Sequence, residues 1–277
     1  MSSVPHLVLN NGVAIDQLGL GVFQIPPAET KAAVLAALEA GYRHIDTAQM
    51  YGNERGVGEA IAESGIARDE IFVTSKLNNN SHEADAAKAA TARSVEALGG
   101  PMDLYLIHWP MPAVGDFVDT WRLMEGFAAE GLTRTIGVSN FQIPHLRRIL
   151  TETATVPAVN QIEVHPYFQQ EALRAFGHEH GIVTEAWSPI AQGKVLGDPV
   201  LTAIADEVGR TVAQVVLRWH IQRGDVVFPK TVSPTRMAEN FALFDFVLTE
   251  AQMTRIAALD ANARGGPDPD QFNWIPD

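Results

Sequence analysis

Asp46, Tyr51, Lys76 and His108 are the residues of this chain whose types and spacing could do proton chemistry. The stretch from Gly41 to Ile61, GYRHIDTAQMYGNERGVGEAI, puts a carboxylate at the end of a short strand and a phenol five residues on, in a loop. Asn53 is placed to cap the helix that follows, whose apolar face is Val57, Ala60 and Ile61. An ammonium ends the next strand at Lys76, and an imidazole ends the one after it at His108. The four make an acid–base set. Taken singly, each has a plain account: Asp46 capping a turn, Tyr51 an ordinary loop tyrosine, Lys76 a solvated strand end, His108 a satisfied core imidazole. Later strand ends carry Ser139-Asn140, the amide of Gln161, the flat ring of Trp187, and Lys230-Thr231. These add an amide-binding set, an aromatic plate and a cation.

Such residues act together only if their strands end on one rim. Leu7-Val8-Leu9 and Val13-Ala14-Ile15, joined by Asn10-Asn11-Gly12, predict a β-hairpin. Strands at 42–46, 71–76, 103–108, 135–140, 158–163, 182–187 and 226–230, with a weak eighth near Ala242-Leu243-Phe244, then alternate with helices. Pro26-Pro27 opens the first helix and Gly41 stops it; others fall at 54–64, 83–98, 144–152, 169–180, 199–208, 211–223 and 235–240. Phe117, Trp121, Met124 and Ala128 make one further helical stripe, and Thr249 with Gln252 forms a capping box for a last helix. No linker or low-complexity run divides the chain. The pattern predicts one α/β domain over 1–277, a single (β/α)8 TIM barrel with an N-terminal β-hairpin and an extra C-terminal helix and loop. The competing doubly wound sheet announces itself with G-x-G-x-x-G after its first strand. Neither Gly19-Leu20-Gly21 nor Gly56-Val57-Gly58 completes that fingerprint.

The formal net charge of −13 argues against nucleic-acid or anionic-membrane partners, so a small anion must find a local cluster of cations. The absence of cysteine excludes disulfides, thiolate metal sites and thiol nucleophiles. The first residues show no signal-peptide pattern and no apolar run is long enough to span a membrane, so a cytoplasmic location is expected. His178-Glu179-His180 lacks a third ligand, and Gly137 to Phe141 fails the nucleophile-elbow pattern at its last position. No metal is expected.

The stretches GYRHIDTAQMYGNE, IFVTSKL, DLYLIHWP, IGVSNF, NQIEVHP and FPKTVSPTRMAEN together resemble the aldo-keto reductase superfamily, over nearly the whole chain to about Asp260. The phrasing is most like prokaryotic 2,5-diketo-D-gluconate reductase-type members. The resemblance implies hydride transfer from NADPH to an aldehyde or ketone, in a monomer. Tyr51 matches the proton donor, Lys76 the ammonium that lowers the phenol pKa from about 10, Asp46 the carboxylate that keeps Lys76 charged, and His108 the imidazole that orients the carbonyl. Ser139, Asn140 and Gln161 match the residues that hold the nicotinamide carboxamide, and Trp187 the ring that stacks on it, where many relatives have Tyr. Ser188, Pro189, Ile190 and Gln192 match the loop along the pyrophosphate. Lys230, Thr231, Val232 and Arg236 match the clamp on the adenosine 2′-phosphate, with Glu239 and Asn240 near the adenine. Gly21 and Val22 fall where the family approaches the cofactor. The clamp implies a preference for NADPH over NADH.

Phe23, Trp109, Met111 and Asn78 match walls of a substrate pocket. Many relatives have Trp directly after the Lys-Leu of the second strand, whereas here Asn78-Asn79-Asn80 follows, which implies polar or bulkier substrates. Candidate substrates are dicarbonyls, aromatic aldehydes and keto-sugars. Phe272, Trp274 and Ile275 either fold over the mouth as a lid or belong to a disordered tail. A cofactor-bound regulatory or structural protein is the alternative class, and a metal- or phosphate-dependent barrel isomerase a third; the complete acid–base set weighs against the former.

Overall fold

A computed structural model of the chain describes residues 4–276; residues 1–3 and 277 of the expected domain lie outside the described residues. The hairpin pairs β1 (His6–Val8) with β2 (Ala14–Asp16), and Gly12 adopts φ 85° in its turn. Eight parallel strands follow: β3 (Leu20–Gly21), β4 (His44–Asp46), β5 (Phe72–Leu77), β6 (Met102–Ile107), β7 (Thr133–Ser139), β8 (Val159–Glu163), β9 (Val183–Trp187) and β10 (Val226–Val227). A parallel bridge between Leu18 and Val227 joins the last strand to the first. The sheet is therefore a closed barrel. Helices α1 (Pro27–Glu39), α2 (Glu54–Glu63), α3 (Ala84–Leu98), α4 (Phe117–Ala129), α5 (Ile143–Glu152) and α6 (Glu171–Glu179) follow β3 to β8 in turn. Two helices, α7 (Pro199–Val208) and α8 (Val212–Gln222), separate β9 from β10, and α9 (Pro234–Phe241) and α10 (Glu250–Ala257) complete the set.

Two apolar clusters hold these layers. The larger lies between strands and helices and includes Trp121, Trp219, Leu146 and Val216. The smaller fills the barrel floor, where Leu9 and Ile15 of the hairpin meet Phe72, Leu104, Leu106 and Val226. Asn10 and Asn11 fasten the hairpin by donating to Pro157 O and Arg134 O. Water is thus kept from the lower end, and the polar rim is left at the upper one.

The structure corrects three expectations. Residues 242–244 form no strand; they leave α9 as a loop, and the eighth member of the barrel is the two-residue β3. Only Val226 and Val227 of the expected 226–230 strand pair with a neighbour, so Lys230 stands in the loop beyond it. Asn53 does not cap α2 with its side chain. Its amide donates to Val22 O and Ile25 O and accepts from Thr47 Oγ1, which ties the β3 loop to the end of β4. The capping boxes at Thr249 and, additionally, Thr211 are present.

The discounted glycine pairs have a packing role. A Cβ on Gly21 would sit 2.5 Å from Phe228 O, and one on Gly19 2.7 Å from the His44 ring. A Cβ on Gly58 would collide with the carbonyl of Ala97, because α2 and α3 approach there backbone to backbone. Gly126, inside α4, has open space around it. Gly58→Ala is expected to lower stability by about 1–3 kcal/mol through overpacking, while Gly126→Ala raises it by about 0.5–1 kcal/mol through backbone entropy. Urea-unfolding midpoints of the two variants check this; shifts of the same sign contradict it.

Candidate active site

Parallel register sets the first contact. Asp46 ends β4 opposite Thr74 of β5, and Lys76 stands two residues further along β5, on the same barrel-facing side. Its ammonium donates to Asp46 Oδ1 at 2.8 Å, Asp46 Oδ2 at 2.9 Å and Thr47 O at 2.8 Å. Both side chains are fully enclosed. Burial works against charging Lys76, but Asp46, Tyr51 and Glu185 outweigh it and hold its pKa above the ordinary lysine value. Burial raises the Asp46 pKa above the ordinary carboxylate value, with Lys76 and Gln161 opposing it. The ion pair stays charged because three acceptor contacts compensate the desolvated ammonium.

Tyr51 stands at the end of a 3-10 turn, Gln49–Tyr51. Gln49 braces that turn by donating to Tyr105 OH and Ser94 Oγ and accepting from Asn78 N. The Tyr51 hydroxyl lies 3.4 Å from Lys76 Nζ. Its ring meets that of His108 edge-on with centroids 6.0 Å apart, and that of Phe23 at 5.0 Å. The four expected proton-handling residues are therefore one cluster. Burial raises the Tyr51 pKa above the ordinary phenol value, and the expected lowering by Lys76 is present but smaller. His108 is driven well below the ordinary imidazole value by burial, with Lys76 and His82 adding to the effect. The cluster thus holds a protonated phenol, a charged ammonium and a neutral imidazole.

The amide set adjoins it. Ser139 Oγ donates to Gln161 O; Asn140 Nδ2 donates to His108 O and Ser139 Oγ, and its Oδ1 accepts from the Trp187 indole at 2.9 Å. Gln161 Nε2 donates to Asp46 Oδ2 at 2.7 Å and Glu185 Oε2 at 2.8 Å. Asn140, Ser188, Ala191 and Gln192 hold left-handed φ angles of 65°, 50°, 47° and 54°. Non-glycine residues in that region cost of order 1–3 kcal/mol each and gather at binding sites. Three of these four were singled out from sequence as cofactor contacts; Ala191, between them, was not.

Lys230 and Arg236 are exposed and form no ion pair among the described residues. Arg236 lies in the first turn of α9, where Ser233 caps its backbone N–H and Thr231 Oγ1 in turn accepts from Ser233 N. Two free cations at a helix N-terminus suit a phosphate. Val232 is exposed in that loop, and Glu239 and Asn240 lie further along α9. Gly21 and Val22 are buried in and just after β3, and Pro189 and Ile190 run between β9 and the next turn.

Of the expected pocket walls, Phe23 is exposed beside Tyr51, while Trp109 is covered by the tail, its ring 4.3 Å from that of Phe272. Met111 is buried. Asn78 lines a cleft of about 430 Å³ with Gln49, Arg55, Arg93 and Ser94, which Phe23, Trp109 and Met111 do not line. The tail is irregular but packed. Asn79 Nδ2 donates to Trp274 O, and Asn273 Oδ1 accepts from Ala113 N. Glu163 accepts from Gly265 N at 2.7 Å and Gly266 N at 3.0 Å. Those two N–H groups and His165 outweigh burial and hold the Glu163 carboxyl below its ordinary value. A Cβ on Gly266 would sit 2.5 Å from the Trp187 ring, so the tail passes directly beside that indole.

Three buried groups were missed by sequence reasoning. Glu163 and Glu185 both lie in strands, and His44 stands in β4. Glu185 is fully enclosed, with Oε1 3.9 Å from His44 Nε2. Burial, with Asp46 adding to it, pushes its pKa up to about 8, and burial lowers His44 to about 3. The available signal was an ionisable residue inside a short barrel strand: HID, VNQIE and VTEAW.

Comparison with known proteins follows the same lines. Residues 16–261 match the model of the "Aldo/keto reductase family". The chain is 52% identical over 271 residues to an aldo-keto reductase of Mycolicibacterium smegmatis, covering 98% of each. It is 48% identical over 275 residues to methylglyoxal reductase DkgA of Salmonella typhimurium, covering 98% of this chain and 99% of that one. The crystal structure of a Gox0644 mutant in complex with NADPH superposes with a TM-score of 0.95 at 44% identity, covering 99% of this chain and 100% of that chain.

The raised Glu185 pKa makes a stability prediction. The native chain keeps a proton that the unfolded chain releases above the ordinary glutamate value of 4.5, so this group costs stability as pH rises from there toward about 8. Glu185→Gln removes that cost. Its unfolding free energy relative to the wild type should rise with pH between those limits, by at most about 1.4 kcal/mol per pH unit. Parallel stability–pH curves for the two proteins would refute the assignment.

Proposed function

The chain belongs to the aldo/keto reductase family, and from that premise we propose that it reduces aldehydes or ketones to alcohols with NADPH as cofactor. The observation that carries the reading is the Tyr51 hydroxyl 3.4 Å from a fully buried, Asp46-paired Lys76 ammonium. NADPH, when bound, supplies the hydride to the carbonyl carbon. Tyr51 supplies the proton to the carbonyl oxygen. Burial keeps the phenol protonated until the oxygen of the substrate becomes basic, and Lys76 stabilises the negative charge then left on Tyr51. His108, pushed toward its neutral form by burial, orients the carbonyl oxygen without competing for the proton.

The residues present fit the dinucleotide. Ser139, Asn140 and Gln161 take the carboxamide, Trp187 the ring, and Ser188, Pro189, Ile190 and Gln192 the pyrophosphate. Lys230 and Arg236, with Thr231 and Val232, take the 2′-phosphate beside Glu239 and Asn240. Gly21 and Val22 flank the cofactor. Support comes from the free cations at the α9 N-terminus and from the NADPH complex of Gox0644. Among the candidate dicarbonyls, aromatic aldehydes and keto-sugars we favour a small dicarbonyl such as methylglyoxal, on the name of the DkgA relative. Phe23, Trp109, Met111 and Asn78 are the proposed pocket residues, and the packed tail covers part of that pocket.

Tyr51→Phe should lower kcat for methylglyoxal by about 10²–10⁴-fold while NADPH binding persists. Turnover near the wild-type rate in NADPH-oxidation assays would end the assigned role. Arg236→Ala should weaken NADPH binding about ten- to a hundredfold, the loss of one charged contact, and leave NADH binding unchanged. Fluorescence titration reads both, and equal losses for the two cofactors would remove the phosphate clamp.

A further inference from the structure

Gln161 joins the amide set to the carboxylate of the proton-handling cluster, and its two side-chain N–H groups are both spoken for. One goes to Asp46 Oδ2 at 2.7 Å and the other to Glu185 Oε2 at 2.8 Å. Asp46, held ionised by Lys76, can only accept, so the nitrogen and not the oxygen of Gln161 faces it. One acceptor alone would leave the second N–H free to turn toward the mouth of the barrel. The second acceptor comes from Glu185, on the neighbouring strand β9, where Gln161 and Glu185 are register partners. Glu185 is 0% exposed, and the charged or titratable groups around it are Asp46 and His44 of β4 and Lys76 of β5. The side-chain carbonyl oxygen of Gln161, Oε1, accepts no hydrogen bond among the described residues, whereas its backbone oxygen accepts from Ser139 Oγ.

We propose that Glu185 is a positioning residue for the cofactor: by accepting the second N–H of Gln161 it makes that side chain present its carbonyl oxygen alone to the nicotinamide carboxamide. The inference rests on the cofactor reading above. It means that Gln161 can accept a hydrogen bond from the carboxamide N–H₂ but cannot donate one to a carbonyl. The site therefore tells a carboxamide from a ketone of the same shape, and it does so through a residue that touches neither. Glutamine at position 185 keeps an acceptor oxygen in the same place. Methionine fills similar space and has no such oxygen.

The test compares binding of NADPH with that of reduced 3-acetylpyridine adenine dinucleotide phosphate, whose acetyl group has no N–H, by quenching of tryptophan fluorescence. Wild type and Glu185→Gln should favour NADPH by the same factor. In Glu185→Met, Gln161 is free to turn and donate to the acetyl oxygen, and the preference should shrink roughly five- to tenfold, one hydrogen bond's worth. Glu185→Leu provides the same comparison with a branched side chain should methionine impair folding, which far-UV circular dichroism monitors. A preference unchanged in the folded Met or Leu variant overturns the proposal while leaving the cofactor reading intact. Failure of the wild type to bind either nucleotide overturns the cofactor reading, and the proposal with it.

Discussion

A lysine ammonium with none of its surface in water is the constraint on which this molecule turns. Taking such an ion out of water costs several kcal/mol even after relaxation, and only well-placed partners offset that. Lys76 has three oxygen contacts at 2.8–2.9 Å, two from Asp46 and one from Thr47 O. They come from the end of β4, so the pair exists only while β4 and β5 keep their register. Thr47 is itself tied to Asn53, and Asn53 to the loop after β3. The loop after β3, the end of β4 and the charge at the barrel mouth are thus held by one chain of contacts. The apolar floor built from Leu9, Ile15, Leu104 and Leu106 excludes water from the other end and keeps the local dielectric low.

The same low dielectric assigns the protons. Burial raises Tyr51, lowers His108 and His44, and raises Glu185, each toward its uncharged form. Within that cluster Lys76 and Asp46 form the ion pair, each compensating the other at hydrogen-bond distance. A sequence-level argument that an ammonium lowers a phenol pKa considers the pair without its enclosure. With the enclosure included, the phenol holds its proton more firmly at rest, and the ammonium matters when charge develops on the phenol oxygen. An acid that keeps its proton until the substrate needs it suits reduction better than one already half ionised.

Long, apolar strands were legible in the sequence and short ones were not. β5, β6 and β7 each carry enough hydrophobic residues to be read directly, and Asp46, Lys76, His108 and Ser139 could be placed because they stand at or just beyond such strand ends. β3 has two residues, Leu20 and Gly21, and no periodicity can show in two. Ala242-Leu243-Phe244 reads as a better strand, yet Leu243 is buried there without any strand partner. Asn53 looked like a cap because its type and position suit one, but three buried backbone and side-chain partners compete for its amide and win. Glu185 and Glu163 were passed over because carboxylates are read as surface residues by default.

The tail shows why a rim of this kind is hard to read ahead of the structure. Beside the Phe272 and Asn273 side chains, its anchors include backbone groups: Gly265 N and Gly266 N on Glu163, and Trp274 O on Asn79. Backbone donors carry no sequence signature except where a side chain would obstruct them, and here Gly266 is obliged to be small by the Trp187 ring. Glu163 ends β8 and Trp187 ends β9, and the two residues are register partners. The tail is therefore fastened at the junction of the two strands that also supply Gln161 and Glu185. Residues that fix the amide set from within the barrel and the segment that covers it from outside are mounted on the same pair of strands. Strain or repacking in β8 or β9 must therefore reach both.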